Sequence, residues 1–308
     1  MPGDVQIRQL EYLVSLAHER HFGRAAAACH ASQPALSAAL QKLESSLGVT
    51  IVHRGHRFSG FTAEGRQVLG WAHRILAERD ALRADLTRMR SGLTAMLRIG
   101  AIPTAVPASA LLTDAFVERN PEATVRVVSM PSRDIITRLA EFDLDAGLTY
   151  LTGEAPPGTR ELELYHERYL LLTPTDGPFA GRQEVGWKEA ATLSMCALVP
   201  SMQNRRILDA AMTACGARFV PVVEADTVDA LYSHLSRGDR SCIVAHTWLH
   251  AFGVPPGMEA IPLHSVGRPA AVGLLTAVRE PTSLVAEALL ESIEGLDLAA
   301  ELERPLRA

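Results

Sequence analysis

Between Phe22 and Gly48 the chain sets hydroxyls, amides and an amine at spacings that suit hydrogen bonding to an extended polar partner. Gln33, Ser37 and Gln41 recur every four residues, with Ser32, Pro34, Ala38 and Lys42 beside them, so they share the outer face of one helix. Leu36, Leu40, Leu43 and Leu47 form the apolar stripe opposite. Ser32 is placed to cap that helix, Pro34 sits in its first turn where a missing N–H costs little, and Gly48 is the residue expected just past its end. An amide near such a helix start pairs with adenine N6 and N7, which makes Gln33 a candidate base reader. Ala38 offers a methyl group to thymine, and Ser32, Ser37 and Lys42 suit phosphate or base edges. The chemistry these residue types support is recognition of double-stranded DNA.

The surrounding elements are those needed to present such a helix. Ile7, Leu10, Leu13, Val14 and Ala17 recur at helical spacing. Gly23 to Cys29 reads as a short helix, whose Ala25, Ala26 and Cys29 are small enough to let another helix approach closely, as a helix-turn-helix requires. Ile51–Arg54 and Arg57–Phe61 read as a short basic hairpin, with His53, Arg54, His56 and Arg57 fitting a wing beside or in the minor groove. Residues 1–90 hold 12 Arg and Lys against 8 Asp and Glu, a balance of +4, whereas the whole chain is −5, leaving −9 for the rest. A basic front on an acidic body suits a chain in which only the front meets phosphate.

Thr62 opens a long helix, with Glu64 in its first turn complementing the helix dipole. Val68, Ala72, Ile75, Arg79, Leu82, Leu86 and Met89 alternate steps of four and three, a heptad seam with one polar interruption, which predicts a self-associating linker helix. Beyond Ser91-Gly92, strand-like and helical runs alternate. Strands are expected near Leu97–Gly100, Thr124–Val128 and Ala146–Tyr150, then near Tyr169–Thr173, Met195–Val199, Pro221–Glu224, Ser241–Ala245 and Val272–Val278. This order predicts two α/β lobes with mainly parallel sheets.

The run Phe22-Gly-Arg24-Ala-Ala26, then Ser32-Gln33-Pro34-Ala35-Leu36-Ser37, Lys42-Leu43-Glu44 and Leu47-Gly48-Val49, resembles the signature of LysR-type transcriptional regulators. Arg54 and Thr62-Ala-Glu64-Gly65 stand where that family has its wing and linker start. The resemblance implies an α+β multidomain chain. Its parts would be a winged helix-turn-helix at 1–61, a dimerising linker helix at 62–92, and a two-lobed effector domain like periplasmic binding proteins at 93–308. Lobe I would take about 93–166 and 268–300, and lobe II about 167–267. It also implies dimers or tetramers that bend promoter DNA in response to a small molecule. Arg24, Ser32, Gln33, Pro34, Ser37, Ala38, Gln41, Lys42, Arg54 and Arg57 are the expected DNA contacts. Family members often carry a basic residue just after the serine of the motif, where this chain has Ala38-Ala39, so one charged contact is absent.

Ligands of two-lobed α/β modules bind between the lobes, beyond the carboxyl ends of strands. Pro103 and Thr104, Tyr150, and the segment Pro200–Arg206 are expected there. Ser201, Gln203, Asn204 and Arg205 at a helix start favour an anion, so the expected effector is a small anionic metabolite; the alternative is that Ser201 and Asn204 only cap the helix and Arg205 and Arg206 face solvent.

Other classes find little support. There is no G-x-S-x-G, P-loop or G-x-G-x-x-G, so no enzyme and no cofactor are expected. Asp143 and Asp145 read as solvating the approach to a strand. The histidines at 18, 21, 30, 53 and 56 lack metal-site spacing, so no metal is expected. No apolar run reaches the roughly 18 residues of a membrane span, and the N-terminus lacks a signal-peptide core, which predicts a cytoplasmic protein. A solute-binding protein would account for the last two thirds alone. Cys29, Cys196, Cys215 and Cys242 form no C-x-x-C pair and read as buried thiols, with a redox couple of Cys196 and Cys215, and hence an oxidant-sensing regulator, as the alternative.

Overall fold

The computed structural model describes residues 4–53, 58–91, 93–264, 267–279 and 282–303, and of residues 84–91 only the helical backbone. The chain divides into two compact units, one of residues 1–91 with 141–143, the other of residues 92–140 and 144–308.

In the first unit, α1 (Ile7–Glu19), α2 (Phe22–Ala28) and α3 (Gln33–Leu47) precede the long α4 (Ala63–Ser91). Leu10, Leu13 and Leu16 of α1 close over Ala25 and Ala26 of α2 and Leu36, Leu40 and Leu43 of α3 in one core. The Ser15 hydroxyl donates to the Ala25 carbonyl, tying α1 to α2. Ile7 and Leu47, expected in the apolar stripes, are exposed, Ile7 being the first residue of α1 and Leu47 the last of α3. Gly48 ends α3 in the left-handed region, φ +68°, which an L side chain enters only at a cost. Of the expected hairpin, the described residues show one antiparallel bridge, Val52 to Phe61, with the His53 N–H donating to the Gly60 carbonyl. Arg54, His56 and Arg57 lie outside the described residues.

The 29 residues of α4 span about 43 Å at 1.5 Å per residue. The heptad seam divides. Ala72 is fully buried and Val68, Leu69 and Leu76 pack on the unit's core, whereas Trp71, Ile75 and Leu82 are exposed. Arg79, the polar interruption, pairs with Glu11 of α1 and with Asp80. The start of α4 is therefore fastened to α1 by packing that follows the ordinary helical repeat.

The second unit holds two five-stranded sheets. The first, in the order β2-β1-β3-β10-β4, comprises β1 (Met96–Ala101), β2 (Thr124–Ser129), β3 (Ala146–Tyr150), β4 (Thr159–His166) and β10 (Ala271–Ala277). The second, in the order β7-β6-β8-β5-β9, comprises β5 (Tyr169–Pro174), β6 (Met195–Leu198), β7 (Val223–Ala225), β8 (Ser241–Ala245) and β9 (Met258–Pro262). Both sheets are mixed, not mainly parallel. β10 runs antiparallel to β3 and β4, and β5 antiparallel to β8 and β9. The sequence reading missed β4 and β9. β4 alternates charged and apolar residues at a sheet edge, and β9 is a short edge strand ending in Pro262, so neither shows the continuous apolar run of a buried parallel strand.

Helix α5 (Val106–Arg119) follows a one-turn 3-10 segment at Pro103–Ala105, and with α6 (Ser132–Ala140), α11 (Leu284–Ser292) and α12 (Leu298–Glu303) it covers the first sheet. Phe116, Leu112, Ile135 and Leu289 are its fully buried contributions. Around the second sheet lie α7 (Trp187–Ala190), α8 (Gln203–Ala214), α9 (Val228–Leu235) and α10 (His246–Phe252). Successive residues of β5 and β8 fall alternately into two core clusters, one with Leu170, Leu172, Cys242 and Val244, the other with Leu171 and Ile243, so the clusters lie on opposite faces of that sheet. Asp145 receives the Arg98 guanidinium at 3.0 Å and the Arg98 N–H at 2.9 Å, a structural clamp at the start of β3. Among the described residues, no helix is long and apolar enough to cross a membrane and no cluster of metal-ligating side chains forms.

Candidate functional site

The outward face of α3 is built from its ends inward. The Ser32 hydroxyl accepts from the Ala35 N–H and begins the helix, and Pro34 occupies its first turn. Ser32, Gln33, Pro34, Ala38, Gln41 and Lys42 are exposed, and Ser37 is half-buried. The turn before α3 brings Gln33 over the start of α2, where a Cβ on Gly23 would stand 3.5 Å from Gln33 Oε1. His21 Nδ1 accepts from the N–H groups of Gly23 and Arg24 and so caps α2, a role the sequence reading did not assign. Exposed Arg24 is held back toward α1 by the Glu19 carboxylate at 3.2 Å and carbonyl at 2.6 Å. Glu44 at the far end of α3 accepts from the N–H groups of Ile51 and Val52 at 2.7 and 3.1 Å, so α3 fixes the point at which the wing segment leaves.

In the second unit, part of the expected effector set converges. Tyr150 Oη lies 2.9 Å from Glu167 Oε2, 3.1 Å from Thr104 Oγ1 and 3.2 Å from Asn204 Nδ2, so three segments distant in sequence meet at one hydroxyl. The tyrosine donates to the carboxylate and accepts from the Asn204 amide, and the Tyr169 hydroxyl also donates to Glu167 Oε2, at 2.8 Å. Thr247 Oγ1 donates to the Thr104 carbonyl, linking α10 to the 3-10 turn that Pro103 opens. Thr104, Tyr150, Glu167 and Asn204 are all buried. Burial pushes the Glu167 carboxyl above the usual carboxylate range, against the hydrogen bonds it receives, and pushes the Tyr150 and Tyr169 hydroxyls well up. Glu167 Oε1 has no hydrogen-bond partner among the described residues. Glu167 was missed because in sequence it is one more acid, beside Arg168, at the end of a stretch that alternates charged and apolar residues, and only the crossing between β4 and β5 turns it inward.

Ser201 is exposed and Gln203 half-buried at the start of α8, whose first turn has no side-chain cap. Arg205 does not join the cluster. Its guanidinium binds the Leu198 carbonyl, Asp209 and Glu224 and stacks on Phe219.

Cys196 of β6 belongs to one face of the second sheet, and Cys215 packs with the cluster on the other, so the two are not brought together. Cys196 is instead paired in register with Cys242 on the adjacent parallel strand, both buried, with burial raising both thiols above their ordinary value.

Comparison with known proteins finds relatives for both units. Residues 7–66 match the family described as bacterial regulatory helix-turn-helix protein, lysR family, and residues 90–296 match the LysR substrate binding domain. The chain is 36% identical over 177 residues to a probable hydrogen peroxide-inducible genes activator of Mycobacterium xenopi, covering 57% of this chain and 93% of that one. It is 29% identical over 304 residues to the DNA-binding transcriptional dual regulator OxyR of Escherichia coli K12, covering 94% and 95% of the two chains. In fold it is similar to a full-length OxyR variant of Pseudomonas aeruginosa, with a TM-score of 0.75 and 23% identity over 97% of this chain and 98% of the other. The helix-turn-helix and the two-lobed module are thus matched in order along one chain, which belongs to the LysR family of DNA-binding transcription regulators.

Proposed function

We propose that this regulator acts in the cytoplasm, without enzymatic activity, by laying α3 in the major groove of promoter DNA and changing its hold on that DNA when a small anion enters between the lobes of its second unit. The observation that carries the DNA reading is the exposed polar face of α3, with Gln33 at its start and Lys42 two turns on. Gln33 reads a base edge, Ser32, Ser37 and Gln41 supply base or phosphate contacts, Ala38 meets a thymine methyl, and Lys42 holds phosphate. Arg24 reaches phosphate after exchanging its contact with Glu19, and Arg54 and Arg57 act from the wing. Trp71, Ile75 and Leu82, exposed at helical spacing along α4, support self-association of two copies into a dimer or higher assembly.

For the effector, the uncapped start of α8 and the accessible Ser201 and Gln203 support anion binding at the cleft mouth, with Pro103, Thr104, Tyr150 and Asn204 forming its wall. Arg205, held by Asp209 and Glu224, contributes by fixing α8 and not by touching the ligand.

Fluorescence anisotropy with the chain's own upstream DNA tests the reading. Gln33→Ala is expected to weaken binding to that duplex by about 1–3 kcal/mol while leaving random duplex unchanged, and Lys42→Ala to weaken both alike. Adding small carboxylates is expected to shift the wild-type curve and not that of Ser201→Ala. Equal affinity for upstream and random duplex at moderate salt, unaffected by Gln33→Ala, would sink the proposal.

A second reading, oxidant sensing through thiols, is favoured by the names of the hydrogen peroxide-inducible activators among the relatives. The burial of Cys196 and Cys242 and the separation of Cys196 from Cys215 oppose it. Thiol trapping after mild peroxide is expected to give an unchanged pattern. A new disulfide would transfer the regulatory role to the cysteines.

A further inference from the structure

A cavity of about 670 Å³ opens in the second unit beside the two chain crossings that join its lobes. Its walls come from Glu167–Leu170 at one crossing, Gly267–Ala270 at the other, the face of α8 that carries Ile207, Ala211 and Ala214, and the end of β9. The crossings are laced together, with the Glu167 N–H donating to the Ala270 carbonyl at 2.8 Å and the Leu263 N–H to the Tyr169 carbonyl at 3.2 Å. Thr104, Tyr150, Ser201, Gln203 and Asn204 do not line it, so it is a different space from the cleft to which the effector is assigned above, with Glu167 standing between the two.

We propose that this cavity is a second small-molecule site, for a carboxylate with an apolar ring or short alkyl body. The volume falls within the roughly 300–1,000 Å³ of small-ligand pockets. The lining chemistry defines the ligand. Ile207, Leu170, Leu263, Pro262 and Pro269 present hydrocarbon. Trp187 and Tyr169 meet edge to face at 5.9 Å. Both have spent their polar atoms elsewhere, Trp187 Nε1 on the His264 carbonyl at 2.7 Å and the Tyr169 hydroxyl on Glu167, so toward the cavity these rings offer apolar surface. The alanines of α8 leave room for a ring where larger side chains would close the space.

The charged lining is predominantly basic. Arg268 is exposed, and no hydrogen bond or ion pair holds it among the described residues. Among the described residues the Arg168 side chain pairs with Glu303 at 3.6 Å, and His264 with Glu184. The one acid among the described residues of the wall, Glu167, is buried and engaged by two tyrosines. An apolar body in the cavity with its carboxylate at Arg268 satisfies both halves, whereas a cationic ligand would face the charge of Arg268, which no acid offsets among the described residues. Occupancy would stiffen the two crossings about which the lobes are joined.

Isothermal titration of the full chain with phenylacetate, hexanoate and the neutral alcohol 2-phenylethanol tests the site. Both carboxylates are expected to bind, and Ala211→Trp, which fills the space, to weaken them at least about tenfold, equivalent to about 1.4 kcal/mol. Should Ala211→Trp fail to fold, Ala214→Trp, at an exposed position, fills the same space from the surface. Arg268→Ala is expected to weaken the carboxylates and leave the alcohol unchanged. Ser201→Ala, which alters the other site, is expected to leave phenylacetate binding in place, so failure of the cleft reading and failure of this one are told apart. Absence of heat from both carboxylates, or binding that survives the tryptophan variants and is lost in Ser201→Ala, would overturn the proposal.

Discussion

Gly65→Ala is expected to unfold the junction between the three N-terminal helices and α4 and to abolish DNA binding without altering any of the residues proposed above to contact DNA. A Cβ at Gly65 would lie 2.1 Å from the Ile51 carbonyl oxygen, 2.8 Å from its carbon and 3.0 Å from its Cα. These are backbone atoms, so no side-chain rotation relieves the overlap. The junction is also held from several sides. The Gly65 N–H donates to Thr62 Oγ1 at 2.8 Å, the Thr62 N–H donates to the Ile51 carbonyl at 3.0 Å, and the Arg66 guanidinium reaches the Phe61 carbonyl at 2.8 Å. On the other side of Ile51, Glu44 fixes its N–H to α3. Moving α4 away from Ile51 therefore breaks the capping of α4 or the tether to α3. The cost is expected at the upper end of overpacking changes, about 3 kcal/mol. Chemical denaturation followed by circular dichroism measures it, with anisotropy on the upstream DNA as the functional readout. Unchanged stability and affinity in Gly65→Ala would show that the junction yields more easily than its hydrogen bonds require.

Glu167→Leu is expected to cost about 2–6 kcal/mol, because the Tyr150 and Tyr169 hydroxyls would each lose their acceptor in a buried place, at about 1–3 kcal/mol per orphaned group. Glu167→Gln keeps an oxygen for both donors and removes the titration, so it separates hydrogen bonding from charge. Burial favours the protonated acid in the folded chain, which therefore holds this proton over a pH range where the unfolded chain has released it. The stability this group contributes is complete below the ordinary carboxylate value of about 4.3 and falls as pH rises through the raised folded value. His246 works in the opposite sense. Burial lowers its pKa to about 4, so its contribution is present above about 6.5 and is lost as pH falls toward 4. Subtracting the melting profile of Glu167→Gln from that of the wild type removes the histidine's share. The difference is expected to show the wild type losing stability relative to the variant as pH rises from about 4.3. A flat difference would mean that Glu167 titrates as it does in the unfolded chain. A small difference between Leu and wild type at neutral pH would mean that the tyrosines find water as an alternative acceptor.

Both residues show where reading the chain in order stops being enough. Local rules sufficed for α3. Ser32 caps it, Pro34 fills its first turn, Gly48 ends it, and Gln33, Ser37 and Gln41 recur at the helical period. Caps, turns and periodicity are properties of neighbours in sequence, and a heptad count finds a long helix at α4 for the same reason. The count did not reveal that Ala72 faces inward while Ile75 and Leu82 face out, since that depends on where α1 lies. Strands with apolar residues at most positions, β3 and β8 among them, were legible to the residue. β4 and β9 were not, because an edge strand's pairing comes from a distant partner and leaves a weaker mark on its own composition.

The amino-acid order by itself thus determined α3 with its exposed polar face, the long helix behind it and the alternation of strands and helices, because each depends on interactions a few residues apart. Tertiary structure alone decided that Glu167 joins Thr104, Tyr150 and Asn204, that Arg205 turns to Glu224, and that Cys196 lies beside Cys242 and away from Cys215. Those groupings depend on chain crossings and on which face of a sheet a residue occupies. A one-residue change of register reverses that face, and no count along the chain can specify it without the partner strand.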